Sequence, residues 1–521
     1  MGIYDAPEKQ CQPPFDVFPL RSNIAVFGSP MSGKTNFIKT FLVQLHKLRC
    51  NVQEEIYIID FGGNIGPCSR LPYVCAYFDN SSEENIKRVF RAVQRRLEEN
   101  TEKLNSAGYA AMYEEHPDQC PAHMTLVIEN INAFLTDERY ESYRDTLTKF
   151  CRDGLSKGLT VVVTGADTSG VGRLMTNFAQ KIGFSLPADS STEFFGCKVP
   201  TTMRLPGRGV ANIQDKYYEF HCFLPYTNSE EETLAQLQKI THRVKRMEAF
   251  EKVIYQRDQR AVAENELLVG MEYYEQTPMV IDYERNRCIG IYGKRTFGKT
   301  NLLKLILSQL REKATYRFVF LDDGRLQLRP LLEKPCHKDR KELQKLVDQE
   351  LAEMKETGCL VNKEGTEYYF RDYVAFITFL SASGFLDGKI DAANFPKMPV
   401  TDCRNTVFVL DYRRLYQQGF RNLNDIANRL NEQNNLLIFA DIRQSEREYN
   451  DWLRNMLNVS FLLDNIGEFV SDRGSGHKSI FGEMDAKELK SQYAKCQLGD
   501  GYCYYPDSDE LYKVKFLKAI D

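Results

Sequence analysis

Twice along this chain an apolar run stops at a glycine, a short loop follows that ends in Gly-Lys-Thr, and an amphipathic stretch begins. Asn23-Ile-Ala-Val-Phe27 leads into Gly28-Ser29-Pro30-Met31-Ser32-Gly33-Lys34-Thr35 and then Asn36-Phe-Ile-Lys-Thr-Phe-Leu-Val-Gln-Leu45. Cys288-Ile-Gly-Ile-Tyr292 leads into Gly293-Lys294-Arg295-Thr296-Phe297-Gly298-Lys299-Thr300 and then Asn301-Leu-Leu-Lys-Leu-Ile-Leu-Ser-Gln-Leu310. A strand, a glycine turn and a helix in the same order, down to the shared Gln-Leu ending, read as a duplicated unit.

The copies stay in step downstream. Ile56-Tyr-Ile-Ile59 ends in Asp60-Phe61-Gly62, and Phe318-Val-Phe-Leu321 ends in Asp322-Asp323-Gly324. Charged, helix-forming sequence follows each (Ser81 to Asn100; Asp339 to Thr357), then the apolar runs Thr125-Leu-Val-Ile128-Glu129 and Val407-Phe-Val-Leu410-Asp411. A further apolar run closes each series, Leu159-Thr-Val-Val-Val163 and Leu436-Leu-Ile-Phe439. Apolar strands without polar alternation, separated by helices, predict a mostly parallel sheet covered on both faces. The expected fold class is therefore α/β, two tandem RecA-like P-loop NTPase domains.

With 521 residues the chain is too long for one core. Ser229 to Phe250, with a capping Ser and three acids in its first turn, predicts a linker helix over about 229–250. The domains are expected at 1–244 and 245–521. A net charge of -4 and the lack of a long Lys/Arg run speak against a sequence-independent grip on phosphate backbones. Fourteen cysteines with no Cys-x-x-Cys pair argue against zinc ligation and a disulfide framework, and suit a reducing compartment. The apolar runs are too short for a membrane helix, and the start has no signal-peptide pattern.

The chemistry follows from the loops. Backbone N–H groups at a glycine turn and helix N-terminus face an anion, and glycine lets the phosphates approach. Lys34 and Lys299 are then placed for the β and γ phosphates of ATP, and the Thr35 and Thr300 hydroxyls for Mg²⁺. Glu129 and Asp411, at strand ends, either supply the second metal-coordinating acid or cap a following turn, and the longer Glu side chain alters the reach to the metal. Hydrolytic P-loop motors usually place a Glu after that acid, whereas this chain has Asn130 and Tyr412. Neither is a general base, so hydrolysis is weak or the base comes from elsewhere. Asp60 and Asp322 lie at the ligand-collecting strand ends or cap the following turn; Thr164 is either a γ-phosphate sensor or a plain strand-end residue.

Further segments carry a resemblance. Tyr4-Asp5-Ala-Pro7-Glu8-Lys-Gln10 with Gln12-Pro-Pro14, Asp60-Phe-Gly-Gly63, Ile128-Glu129-Asn130 and Pro206-Gly-Arg-Gly209 resemble the middle ATPase domain of the EssC/EccC family, the FtsK/SpoIIIE-type motors of type VII secretion. Val269-Gly-Met-Glu272, Leu498-Gly-Asp-Gly-Tyr502 and Lys515-Phe-Leu-Lys518 resemble the family's final ATPase domain. The resemblance implies a longer protein with membrane helices and a more active ATPase domain before Met1, working on the cytoplasmic side of the membrane beside other secretion-machinery membrane proteins. It also implies ATP and Mg²⁺ as cofactors and a homo-hexamer in the full-length protein. The partners implied are secreted helical Trp-x-Gly effectors bound through a carboxyl-terminal signal. A nucleotide-binding receptor without hydrolysis remains the alternative. DNA translocation is disfavoured by the charge balance, and no nucleic acid is expected.

Overall fold

The computed structural model describes residues 1–48, 54–81, 83–104, 108–199, 205–213, 216–239, 244–247, 253–255, 262–293, 296–313, 316–321, 359–361, 366–370, 372–382, 405–411, 435–442, 456–463, 496 and 498–519. The chain divides into two compact units, Met1–Phe250 and Glu251–Asp521. The predicted helix at 339–357 lies outside the described residues, as do Asp322 and Tyr412.

In the first unit the strands are β1 (Gly2–Tyr4), β2 (Pro14–Phe15), β3 (Ile24–Gly28), β4 (Glu54–Asp60), β5 (Val74–Asp79), β6 (His123–Glu129), β7 (Leu159–Gly165), β8 (Gln180–Phe184), β9 (Arg208–Ile213) and β10 (Lys216–Cys222). They form one sheet in the order β2-β1-β10-β9-β8-β3-β7-β6-β4-β5. From β8 to β5 every pairing is parallel. From β8 outward through β9, β10, β1 and β2 every pairing is antiparallel.

Successive side chains on a strand point to opposite faces, so a strand covered on both sides must be apolar throughout. Ile24 and Val26 enter one core with Phe37, Ile38, Phe41 and Leu42 of α1 (Lys34–Leu48). Ala25 and Phe27 enter the other, with Val89, Phe90 and Val93 of α2 (Glu83–Leu104). Glu83 and Glu84 in the first turn of α2 complement the helix dipole. Shorter helices follow: α3 (Tyr109–Glu115), α4 (Ile131–Thr136), α5 (Arg144–Asp153), α6 (Gly172–Met175), α7 (Ala188–Phe195) and α8 (Glu230–Leu237).

The predicted linker helix is shorter than expected. Ser229 Oγ accepts the Glu232 N–H at 3.1 Å and starts α8, but the helix ends at Leu237, and residues 244–247 are not helical. Val244 and Met247 instead donate backbone N–H groups to Pro72 and Cys75, the latter at 2.7 Å, and Arg246 donates to the Arg70 carbonyl. β5 is the edge of its sheet, and the Met247 N–H bonds the Cys75 carbonyl of that strand while Val244 and Arg246 bond the turn that leads into it.

The second unit repeats the plan with β11 (Glu266–Glu272), β12 (Pro278–Asp282), β13 (Cys288–Gly293), β14 (Arg317–Leu321), β15 (Cys359–Val361), β16 (Glu367–Phe370), β17 (Thr406–Asp411), β18 (Leu436–Ile442), β19 (Val459–Leu463), β20 (Asp500–Tyr505) and β21 (Glu510–Phe516). Its order, β12-β11-β21-β20-β19-β13-β18-β17-β14-β16-β15, matches the first sheet strand for strand, with β15 added at the far edge. The helix α9 (Lys299–Lys313) follows β13 as α1 follows β3. Its Leu302, Leu305 and Ile306 enter the second unit's core.

Candidate nucleotide-binding sites

Each P-loop leaves the carboxyl end of a strand held between two parallel neighbours. Gly28 is pressed against β8: a Cβ there would stand 2.1 Å from the Phe184 carbonyl oxygen. At Gly293 the same atom would stand 2.4 Å from the carbonyl oxygen of Leu463 on β19. Only glycine permits these approaches. Positive φ recurs at the matching fourth and sixth loop positions, at Met31 (φ 60) and Gly33 (φ 114) in the first and Thr296 (φ 72) and Gly298 (φ 102) in the second.

Cross-links fix the first loop. Ser29 Oγ donates to the Ser185 carbonyl at 2.7 Å, the Ser32 N–H to the Ser29 carbonyl, and the Gly207 N–H to the Ser32 carbonyl at 2.9 Å. Lys34 Nζ lies across the loop and donates to the carbonyls of Gly28 and Ser29, as Lys299 Nζ does to Gly293. Burial holds the Lys34 ammonium below the usual lysine range, with Glu129 opposing. Thr35 and Thr300 sit in the first turns of α1 and α9. Next to them, Asn36 Nδ2 donates to the Phe223 carbonyl and Asn301 Nδ2 to the Leu517 carbonyl, pinning each helix to the end of its unit's last strand. Pro30 completes the first loop, and Phe297 packs against the second core. Lys294 and Arg295 lie outside the described residues.

Glu129 ends β6 opposite Asp60 of β4. It is 5% exposed, and its Oε2 has no hydrogen-bond partner among the described residues; the same is true of Ser32 Oγ in the loop. Buried polar atoms are nearly always satisfied, so the Ser32 orphan in the loop and the Glu129 orphan at the end of β6 are each candidate contacts for a polar ligand or cation. Burial, and then the Asp60 charge, push the Glu129 carboxyl up to about 6, against the pull of Lys34. The residue types present fit Mg²⁺ and a phosphate: the acid Glu129 ends its strand within electrostatic reach of Lys34, and Thr35 follows Lys34 in the first turn of α1.

The remaining predicted residues divide. Asp60 is 1% exposed, and its carboxylate accepts the N–H groups of Gly62, Gly63 and Ile65 and the Tyr77 hydroxyl, so it holds the following turn. Thr164 is buried at the end of β7, where its Oγ1 accepts the Asn130 N–H at 2.8 Å. Asn130 itself is left-handed (φ 64, ψ 66), and its side chain accepts the Ala133 N–H as the cap of α4. Asp411 ends β17 beside Ala440 of β18, at the same carboxyl edge in the second unit.

Sequence reasoning missed Asn132. Its Oδ1 accepts the Ala166 N–H, and its Nδ2 donates to the carbonyls of Asp167 and Ser169, tying the loop after β7 to the start of α4. A polar residue inside an apolar helical turn was the available signal.

No protein-family model matches the chain. Among curated proteins, EssC of Staphylococcus aureus (strain MRSA252) is 24% identical over 257 residues, covering 48% of this chain and 17% of EssC. EccC of Thermomonospora curvata is 24% identical over 360 residues, covering 62% of this chain and 27% of EccC. Among solved structures, EssC ATPases 2 and 3 of Geobacillus thermodenitrificans match all of this chain and 96% of that one, at TM-score 0.68 and 18% identity. EccC ATPases 2 and 3 of T. curvata, in complex with a signal sequence peptide, match all of this chain and 92% of that one, at TM-score 0.62 and 17% identity.

This chain is a homologue of the EssC/EccC type VII secretion ATPases. Its two units have the fold of EssC/EccC ATPases 2 and 3, and each P-loop described above falls in one of them. The alignments span about a sixth to a quarter of the EssC and EccC chains, so the chain corresponds to part of such a protein. Among the described residues no helix is long and apolar enough to cross a membrane.

Proposed function

We propose that this chain is the ATP-holding, substrate-docking part of a type VII secretion ATPase, and that it hydrolyses ATP weakly. Lys34 and Lys299 bind the β and γ phosphates, and the N–H groups of Gly28 to Thr35 and Gly293 to Thr300 cradle them. Thr35 with Glu129, and Thr300 with Asp411, hold Mg²⁺, which when bound neutralises phosphate charge. The pairing of two matched P-loops with orphaned polar atoms at the first of them supports this reading.

The observation that carries the weak-hydrolysis part is Asn130. Its side chain is committed to the cap of α4 and its N–H to Thr164, and an amide in that role neither accepts a proton from water nor aims one at a phosphate. The same observation favours the second reading, a nucleotide-controlled receptor with no turnover at all. In the proposal, nucleotide occupancy governs docking of the carboxyl-terminal signal of small helical Trp-x-Gly effectors. The signal peptide held by T. curvata EccC supports that class of partner. The full-length protein works as a membrane-anchored homo-hexamer with its motor domains on the cytoplasmic side, alongside other membrane proteins of the machinery.

Magnesium-dependent ATP binding and turnover on this chain, with Lys34→Ala and Lys299→Ala, test the reading. Binding is expected to fall at the altered loop, with turnover well below about 1 s⁻¹ throughout. Faster turnover abolished by either change would overturn the weak-hydrolysis reading, and absence of nucleotide binding at both loops would overturn the whole. Effector-signal peptide is expected to bind in preference to duplex DNA at physiological salt.

A further inference from the structure

Two glycines follow Asp60, and they are glycine for different reasons. Gly63 is left-handed (φ 70) with open space around the position of a Cβ, so its requirement lies in its own backbone. Gly62 does not have a positive φ. A Cβ there would stand 2.0 Å from Oε2, 2.6 Å from Cδ and 2.9 Å from Oε1 of Glu129, and these are its three nearest atoms. The closest obstacle to a side chain at position 62 is therefore the Glu129 carboxylate.

The turn that carries Gly62 is tied down by hydrogen bonds. Asp60, paired with Glu129 across β4 and β6, gathers the N–H groups of Gly62, Gly63 and Ile65 at 3.1, 2.7 and 3.0 Å and the Tyr77 hydroxyl at 2.8 Å. The Phe61 N–H donates to the Glu129 carbonyl at 3.2 Å, so the turn is also fastened to the end of β6. Phe61 is packed edge-on against Phe134 and Tyr140. A rigid wall thus stands behind a buried carboxylate whose Oε2 has no partner among the described residues.

We propose that Gly62 is a positioning residue of the first metal site: it is the wall against which the long Glu129 side chain folds, so that a glutamate presents its carboxylate where a shorter acid would suffice. The inference rests on the Mg·ATP reading above and deepens it. A methyl at 62 is expected to displace the carboxylate, the far end of a flexible side chain, in preference to the turn that Asp60 holds by three N–H bonds. Shortening the acid by one methylene withdraws its carboxylate by about one C–C bond, about 1.5 Å, enough to clear that methyl.

The experiment measures affinity for a fluorescent ATP analogue with and without Mg²⁺ in the native chain, Gly62→Ala, Glu129→Asp and the Gly62→Ala/Glu129→Asp double variant, all carrying Lys299→Ala so that the first loop is read. In Gly62→Ala the tightening due to Mg²⁺ is expected to drop about 10- to 100-fold, the usual cost of losing an outer-shell support, while Mg²⁺-free affinity stays as in the parent. The double variant is expected to recover most of the tightening relative to Gly62→Ala. Gly62→Ala with unchanged Mg²⁺ dependence would overturn the proposal alone. So would a double variant as impaired as Gly62→Ala, since a merely misfolded turn is not rescued by shortening Glu129. A parent chain whose first loop binds no nucleotide overturns the nucleotide reading and this inference with it.

Discussion

Asn130 is the residue on which the functional reading turns, and its geometry makes a quantitative demand. It sits at φ 64 and ψ 66, a region that costs a side chain other than glycine, Asn or Asp about 1–2 kcal/mol, and it caps α4 through Ala133. Loss of such a cap to alanine costs about 1 kcal/mol. Asn130→Ala is therefore expected to destabilise the first unit by about 2–3 kcal/mol. Asn130→Gly keeps the left-handed backbone and should cost under about 1 kcal/mol. Asn130→Glu, the change that would restore a hydrolytic glutamate by sequence, should cost as much as alanine and bring no turnover, since the left-handed backbone and the bond to Thr164 direct position 130 toward the helix cap. Urea titration followed by far-UV circular dichroism reads the loss. Fluorescence of Trp452, the chain's single tryptophan, reports separately on the second half. A glycine variant as unstable as the alanine one, or a glutamate variant as stable as the native chain, would refute the reasoning.

Other outcomes follow from the same edge of the sheet. Glu129 titrates near 6 when folded, above its ordinary 4.5, so its favourable contribution is complete below the ordinary value and is lost as pH rises through about 6. In metal-free buffer Glu129→Gln should be about 2 kcal/mol more stable than the native chain at pH 7, the gain shrinking toward pH 4; a pH-independent difference in denaturation midpoint would count against it. Thr164→Val leaves the Asn130 N–H without its acceptor and should cost about 1–3 kcal/mol of stability with Mg·ATP affinity intact. A loss of nucleotide affinity at unchanged stability would make Thr164 a sensor instead.

The central parallel strands β3, β4, β6 and β7, and their counterparts β13, β14, β17 and β18, were legible because physics leaves so little choice there, whereas the parallel strands β5, β8, β16 and β19 were not read. Strands such as Ile56–Ile59 and Val407–Leu410 are buried on both faces and must be apolar at every position, which no loop or amphipathic helix imitates. The antiparallel half was not legible. β10 reads Lys-Tyr-Tyr-Glu-Phe-His-Cys, with little buried besides Phe220, and β1 has three residues, so neither carries enough periodicity to announce itself. The linker helix was over-extended for a related reason: Val244 and Met247 have helical spacing, but an open sheet edge is invisible in the sequence. Of the site, the strand-to-helix placement of the two glycine turns was readable, whereas the hydrogen bonds of Asp60, Thr164 and Asn130 were not.

The duplication goes deeper than the P-loops that first betray it. Pro206-Gly-Arg-Gly209 and Leu498-Gly-Asp-Gly-Tyr502 look like unrelated landmarks, yet each opens the first strand of the terminal hairpin behind a left-handed glycine, Gly207 (φ 82) or Gly499 (φ 87). The Gly207 carbonyl accepts the Cys222 N–H, and the Gly499 carbonyl accepts the Phe516 N–H, in matching registers. What differs is charge: Arg208 pairs with Glu219 in one copy, and a buried Asp500 pairs with Lys515 at 2.7 Å in the other. The backbone requirement survived the divergence of the copies while the charge at the strand's first residue reversed, with its partner diagonal in the first hairpin and directly opposite in the second. That is the expected order of constraint if the hairpin's task is to brace the P-loop, since the Gly207 N–H holds the Ser32 carbonyl by backbone geometry that no side-chain charge alters.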